Sequence, residues 1–198
     1  MLKIGITGGI GSGKTTVCRV FETLGIPVFY ADTSAKEIMV KDEILVKGMK
    51  ETFGAESYTE AGELNRPYIS GLVFNDQRQL DQLNALVHPA VFRAFDNWLS
   101  TVPSNAPYIL KEAALLFESG SYRMCDRSIL VTAPLKLKLE RVTGRDHTTE
   151  AQVLARMDKQ LSDEQKMPMA DDHITNDGSE SLILQVLALH QKYLDKKF

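Results

Sequence analysis

The chain has 198 residues, 43% hydrophobic and 25% charged, with a formal net charge of −3. That supplies a core of its own, as one domain with an insertion or one and a half domains, and speaks against non-specific nucleic-acid binding, which needs a basic surface. Cys18 and Cys125 form no C-x-x-C, no signal-peptide pattern opens the chain, and no apolar run approaches the roughly 18–20 residues of a membrane helix, so a reduced, cytoplasmic protein with no membrane and no nucleic-acid partner is expected.

Leu2 to Thr7 reads as a short buried strand bounded by glycines. Thr15 to Leu24 has helical spacing in Val17, Val20, Phe21 and Leu24, and stops at Gly25. "IPVFYAD" reads as a second strand ending at Asp32, with "TSAKEIMVK" a helix behind it. From Gly62 to about Ser104 the pattern is helical throughout, flanked by the turn formers "YTEAGELN" and "TVPSNAP". "YILKEAALLFE" begins as a third strand, "RSILVTA" is a fourth and "DHITN" a fifth. A helical stretch runs from Pro134 to Lys166, and Ser179 to Lys197 is amphipathic, with Leu182, Val186, Leu189 and Tyr193 on one face. Strand–helix alternation of this kind predicts a mostly parallel sheet covered by helices on both faces.

Gly8-Gly9-Ile10-Gly11-Ser12-Gly13-Lys14-Thr15 fits G-x-x-x-x-G-K-[ST] between a strand and a helix, the context that this pattern requires. At average residue frequencies, chance alone produces it in roughly 1% of chains of this length. The residue types suit a phosphate cradle. Glycines let successive backbone N–H groups point into one concavity at a helix N-terminus, where the helix dipole favours anions. Lys14 brings a full charge for the β- and γ-phosphates, and the Thr15 hydroxyl can ligate Mg²⁺. Gly9, Gly11, Ser12, Gly13, Lys14, Thr15 and Thr16 are therefore the expected ATP contacts. Neither an N-K-x-D base-reading motif nor a D-x-x-G switch follows, which excludes a GTPase switch and leaves a small-molecule kinase or an ATP-sensing module.

Several other residues admit more than one reading. Asp32 at a strand end suits a base for an acceptor hydroxyl, or the N-cap of the following helix. Arg141 and Arg145, four apart, can meet phosphoryl charge from one helix face, or simply enrich a helix C-terminus in cations. His88, before Pro89, touches a substrate or packs at a helix junction. Glu112 can hold Mg²⁺ through water. Leu116 reads as core.

The ordered set "GITGGIGSGKTT", "LGIPVFYAD", "GELNRPYISGLVF", "LNALVHPAV", "ALLFESG", "RVTGRD" and "ADDHITNDGS" resembles the motifs of the dephospho-CoA kinase family over nearly the whole chain. The resemblance implies a three-layer α/β P-loop kinase fold with a parallel sheet. Its nucleotide-binding core is residues 1–61 and 105–198 with a lid at about 140–168, and its helical CoA-side insertion is 62–104. It implies transfer of the ATP γ-phosphoryl group to the ribose 3′-hydroxyl of dephospho-CoA, with Mg²⁺ alongside ATP, in a monomer or weak homo-oligomer. Asp32, Lys14, Arg141 and Arg145 take the catalytic roles, and Asn176 and Gly178 lie near the adenine. Asp32, Arg66, His88, Leu115 and Phe117 meet the acceptor, and Thr15 and Glu112 meet the metal. The sequence departs from the family pattern at Tyr30, Asn65, Glu112 and Ala114.

Overall fold

Five apolar runs become the strands of one sheet: β1 (Leu2–Thr7), β2 (Val28–Tyr30), β3 (Tyr108–Glu112), β4 (Arg127–Thr132) and β5 (Asp172–Thr175). A computed structural model describes residues 1–74 and 76–196; Lys197, the end of the expected tail helix, lies outside the described residues. The strand order is β2-β3-β1-β4-β5 and every pairing is parallel, with Ile4 opposite Leu110 on one side and Arg127 on the other. The glycine loop thus leaves the central strand at its carboxyl end, where ligands of open α/β sheets gather. Among the described residues the helices are α1 (Lys14–Thr23), α2 (Ala31–Lys41), α3 (Glu43–Phe53), α4 (Arg66–Val73), α5 (Gln77–Thr101), α6 (Leu135–Asp146), α7 (Glu150–Met157), α8 (Asp163–Lys166) and α9 (Leu182–Leu194).

The chain divides into two compact units, Met1–Tyr30 with Val102–Phe198, and Ala31–Thr101. In the first, the sheet packs Ile4, Ile6, Leu110, Ile129 and Val131 against Val17, Cys18 and Phe21 of α1 and Val186 and Tyr193 of α9. The apolar face read from Leu182, Val186, Leu189 and Tyr193 is the face that α9 buries or half-buries. A buried carboxylate fastens that helix: Asp172 accepts from the Tyr193 hydroxyl at 2.9 Å and pairs with Lys192, while Arg127 stands at 3.4 Å. Burial alone would raise the Asp172 pKa, but these donors hold it below the usual carboxylate range.

The second unit begins at Ala31, earlier than the boundary expected at Gly62. The reason is a second apolar cluster in which Ile38, Met39, Leu45, Met49 and Phe53 join Ile69 and Ala90. Leu45, Met49 and Phe53 recur every four residues and so form one stripe of α3. Gly48 brings α5 close, since a Cβ there would sit 2.9 Å from Leu86 Cδ2. Asp42 caps α3 through the Leu45 amide at 2.8 Å and takes both ends of the Arg93 guanidinium, at 2.7 and 3.2 Å. α5 runs unbroken through Pro89, so His88 lies within one helix and not at a junction.

The stretch from Pro134 to Lys166 is three helices and not one. His147 adopts a left-handed φ of 50° after α6, and Thr149–Gln152 and Ser162–Gln165 form capping boxes that start α7 and α8.

The Tyr108 hydroxyl and His190 Nδ1 share a 2.6 Å hydrogen bond beside the core, and burial lowers the His190 pKa. The unfolded chain takes up a proton as pH falls through about 6.5, whereas the folded ring stays neutral to lower pH. This part of the stability is therefore present above about pH 6.5 and lost as pH falls toward the folded value. His190→Gln should flatten the fall in Tm between about pH 7.5 and 5.5, measured by thermal denaturation beside the parent chain; an unchanged slope would place the titration elsewhere.

Candidate active site

The loop after β1 folds as its glycines require. Gly8, Gly11 and Gly13 have φ of 154°, 81° and 95°, a region costly to side-chain-bearing residues. The space is taken as well: a Cβ on Gly8 would lie 2.2 Å from the Val131 carbonyl oxygen, on Gly11 2.6 Å from that of Lys138, and on Gly13 2.1 Å from Asn176 Nδ2. Gly13 is the N-cap residue of α1, and it gives that helix no side-chain cap. The helix therefore opens on backbone donors, an anion-binding arrangement. The Ser12 hydroxyl is fully buried, and its Oγ has no hydrogen-bond partner among the described residues.

Lys14 is largely buried, and its ammonium donates to the carbonyls of Gly8 and Gly9, at 2.8 and 3.4 Å, along the strand side of the loop. Thr15 and Thr16 are exposed at the start of α1. Asn176 braces the loop as well as bordering it, with Nδ2 donating to the Ser12 carbonyl at 2.8 Å and its backbone amide to that of Thr132 at 2.8 Å. Gly178, at φ 87°, is exposed in the same turn.

Arg141 and Arg145 part company in the structure. Arg141 donates to the Gly11 carbonyl at 3.4 Å and to that of Asn176 at 3.0 Å, which places a guanidinium on the glycine loop. Arg145 turns to Asp146 at 2.7 Å, and Arg156 reaches the same carboxylate at 3.1 Å. Those guanidiniums hold Asp146 below the usual carboxylate range. Gln160 Oε1 accepts from the Ile10 amide at 3.2 Å, a loop contact that the sequence did not announce. Lys166 is fully buried, with its ammonium 2.9 Å from Glu118 Oε1 and 3.2 Å from the Ala114 carbonyl, so it pins α8 to the segment after β3.

Glu112 is buried at the end of β3, close enough for its charge to act on Cys18 and Tyr30. Burial first, then the Glu112 and Glu22 carboxylates, push the Cys18 thiol up, so it is an inert packing group. Burial likewise raises Tyr30, whose hydroxyl is hydrogen-bonded to Glu22. Among the described residues no three His, Cys, Asp or Glu side chains gather into a metal site. The Thr15 hydroxyl and Glu112 carboxylate are hard oxygen donors, a set that fits a Mg²⁺ whose remaining ligands are phosphate oxygens and water. Leu116 is fully buried beneath Gly5, Phe117 is buried with its ring 5.7 Å from that of Tyr122, and Leu115 is exposed.

In the second unit, Asp32 is the second residue of α2 and not the last of a strand, because β2 stops at Tyr30 and the helix follows directly. Its carboxylate is exposed in the first helical turn, where the dipole favours it, and it caps nothing among the described residues. Arg66 is exposed at the start of α4 behind the Asn65 cap. His88 is half-buried, and burial lowers its pKa.

A parallel sheet of this order, with a lysine-bearing glycine loop leaving its central strand for a helix, defines a P-loop kinase fold. The dephospho-CoA kinase family model matches residues 2–181. The dephospho-CoA kinase of Salinibacter ruber is 42% identical over 90% of this chain and 90% of its own. Among solved structures, TT1252 from Thermus thermophilus superposes with a TM-score of 0.83 at 33% identity, covering 100% of this chain and 98% of that one. The dephospho-CoA kinase from Campylobacter jejuni shares the fold, with a TM-score of 0.71 at 23% identity over 99% and 98% of the two chains. The chain belongs to the dephospho-CoA kinase family and is a phosphotransferase. No helix among the described residues is long and apolar enough to cross a membrane.

Gly13 gives the loop a direct test. Gly13→Ala combines a left-handed φ, costing an alanine about 1–2 kcal/mol, with a clash on Asn176. Gly25→Ala carries comparable strain with nothing within 4 Å. Calorimetric titration with ATP should show at least about tenfold weaker binding for Gly13→Ala, and near-parent affinity for Gly25→Ala despite a lower Tm. Parent-like binding by Gly13→Ala would remove the loop from the nucleotide site.

Proposed function

We propose that this chain phosphorylates the ribose 3′-hydroxyl of dephospho-CoA with ATP, giving coenzyme A and ADP, in the cytoplasm. The observation that carries the reading is the glycine loop with Lys14 on its Gly8 and Gly9 carbonyls, in a chain that matches the dephospho-CoA kinase family model from residue 2 to 181. The loop amides and the α1 N-terminus take the phosphates, Lys14 bridges the β- and γ-phosphoryl groups, and Arg141 adds charge as the transition state spreads it over the γ-oxygens. Asn176 and Gly178 border the adenine. Arg145 belongs to the proposed lid, residues 140–168, as a partner of Asp146. Mg²⁺, held by Thr15 and through water by Glu112, would neutralise phosphate charge.

The acceptor falls to the helical unit and to Leu115 and Phe117, with Arg66 and His88 as its contacts and Asp32 as the base. The 3′-oxygen forms the new bond to the γ-phosphorus, and the bond from that phosphorus to the β–γ bridging oxygen breaks. ADP leaves with the electron pair, and the hydroxyl proton passes to the Asp32 carboxylate.

ADP release measured without acceptor, and with dephospho-CoA, nucleosides or nucleoside monophosphates in turn, tests the reading. Dephospho-CoA should stimulate release at least about tenfold and surpass the others. Equal basal release in every case would instead make the chain an ATP-sensing module.

Asp32→Asn keeps the shape and loses the charge and the proton affinity. A positioned base contributes typically about 10²–10⁴-fold, so kcat should fall by about 10² or more, with both substrates bound and Tm unchanged. Near-normal kcat would confine Asp32 to the helix dipole.

A further inference from the structure

One ammonium group beside the glycine loop has no place in the scheme so far. Lys138 lies on α6 three residues before Arg141 and seven before Arg145, so the three cations share one helix face. The helix presses this face on the loop, where the Lys138 backbone fills the space a Gly11 side chain would need. Only 11% of its side chain is exposed. It ends in a salt bridge to Asp163, itself 15% exposed, and its Nζ lies 3.3 Å from where a Gly9 Cβ would stand. Gly9 is not among the positive-φ glycines, and the nearest groups to a Cβ there are the two ends of this ion pair.

The side of the loop that Lys138 occupies is informative. Lys14 donates to Gly8 and Gly9, and the lysine of this motif reaches the β- and γ-phosphates. Gly8 to Ile10 is therefore the terminal-phosphate end of the loop, and Lys138 stands on that end. Gly9, Lys138, Gln160, Ser162 and Asp163 line a cavity of about 570 Å³ there, together with Leu154 and Leu161. Lys138 is itself largely buried, and a charge shielded from solvent acts more strongly than the same charge in water.

We propose that Lys138 is a further catalytic cation, whose ammonium contacts the γ-phosphoryl group of bound ATP, and that Asp163 is its positioning residue. The inference rests on the nucleotide reading given above. Asp163 orders the flexible lysine stem, and it is itself held by α8, which the pairing of the buried Lys166 with Glu118 anchors. Lys138 keeps its proton throughout. It compensates the charge on the γ-oxygens while the 3′-oxygen–phosphorus bond forms and the bond to the leaving ADP oxygen breaks.

A purely structural ion pair would serve ADP and ATP alike; a γ-directed cation would not. Calorimetric titration of Lys138→Met with ADP and with a non-hydrolysable ATP analogue, beside steady-state kinetics, separates the two. Expected are ADP affinity within twofold of the parent, at least about fivefold weaker binding of the analogue, and kcat lower by about 10²-fold, the lower end of the range for one lost transition-state donor. Asp163→Asn should show the same asymmetry at smaller size. If Lys138→Met melts early, Lys138→Gln, which can still hydrogen-bond Asp163, gives the same readout in a better-supported fold. Equal weakening of both nucleotides, or parent-like binding and turnover, would overturn the role of Lys138 while leaving the nucleotide site standing. Failure of the parent chain to bind either nucleotide would overturn the nucleotide reading, and this inference with it.

Discussion

The close seating of a backbone loop against three neighbours is the constraint on which the rest of this structure depends. Gly8 abuts the Val131 carbonyl of β4, Gly11 the backbone of α6, and Gly13 the side chain of Asn176 after β5. Each contact removes the room for a side chain, and the three come from a strand, a helix and the turn after the last strand. The loop is thereby fixed in shape at the N-terminus of α1, which has no side-chain cap. Preorganised donors cost no reorganisation at the moment of reaction, which is where such sites gain their strength. The sheet order serves this end, since β1 pairs directly with β4, and β4 with β5, which brings all three neighbours to the loop from that side of the sheet.

Charge around that loop is arranged in tiers. Lys14 lies inside it on Gly8 and Gly9, Arg141 lies across Gly11 and Asn176, and Lys138 stands over Gly9 with Asp163. None of the three is a lone buried cation, a state that would carry a heavy desolvation cost. Carbonyl oxygens or a carboxylate share each charge. The Lys166–Glu118 pair repeats the pattern one step further out, where it holds the short helix that carries Asp163. Arg145, although on the same helix as Lys138 and Arg141, is committed to Asp146 instead.

What could be read from the chain follows from how local each signal is. The glycine loop, the five strands and the buried face of α9 were legible because turn chemistry, apolar runs and helical period act over a few neighbouring residues. The start of the helical unit was not, because the stripe Leu45–Met49–Phe53 gains its meaning only from Ile69 and Ala90, far along the chain. The two capping boxes at Thr149 and Ser162 were legible signals that went unread, and they are what divide the stretch after Pro134. Asp32 was placed correctly in sequence and misplaced by one element, since nothing between Tyr30 and Ala31 marks the change from strand to helix. Lys138 was hidden for a plainer reason: a lysine on an amphipathic helix is normally a solvated charge, and only its partner 25 residues on, Asp163, makes it a buried one.

The same reasoning accounts for the glycine that conformation does not explain. Gly8, Gly11 and Gly13 each need a φ that side chains resist, whereas Gly9 does not appear with them. Its neighbours are not backbone atoms but the Lys138 ammonium and the Asp163 carboxylate, 3.3 and 3.4 Å from a Cβ that is not there. A methyl group at that point would stand tight against the ammonium and in ordinary contact with the carboxylate, so the lysine end of the pair would have to give by a few tenths of an ångström. Glycine at this position leaves room for an ion pair, while its three neighbours protect a backbone shape. Four glycines within six residues thus answer two different physical demands, and the second of them becomes visible only when α6 and α8 are folded against the loop.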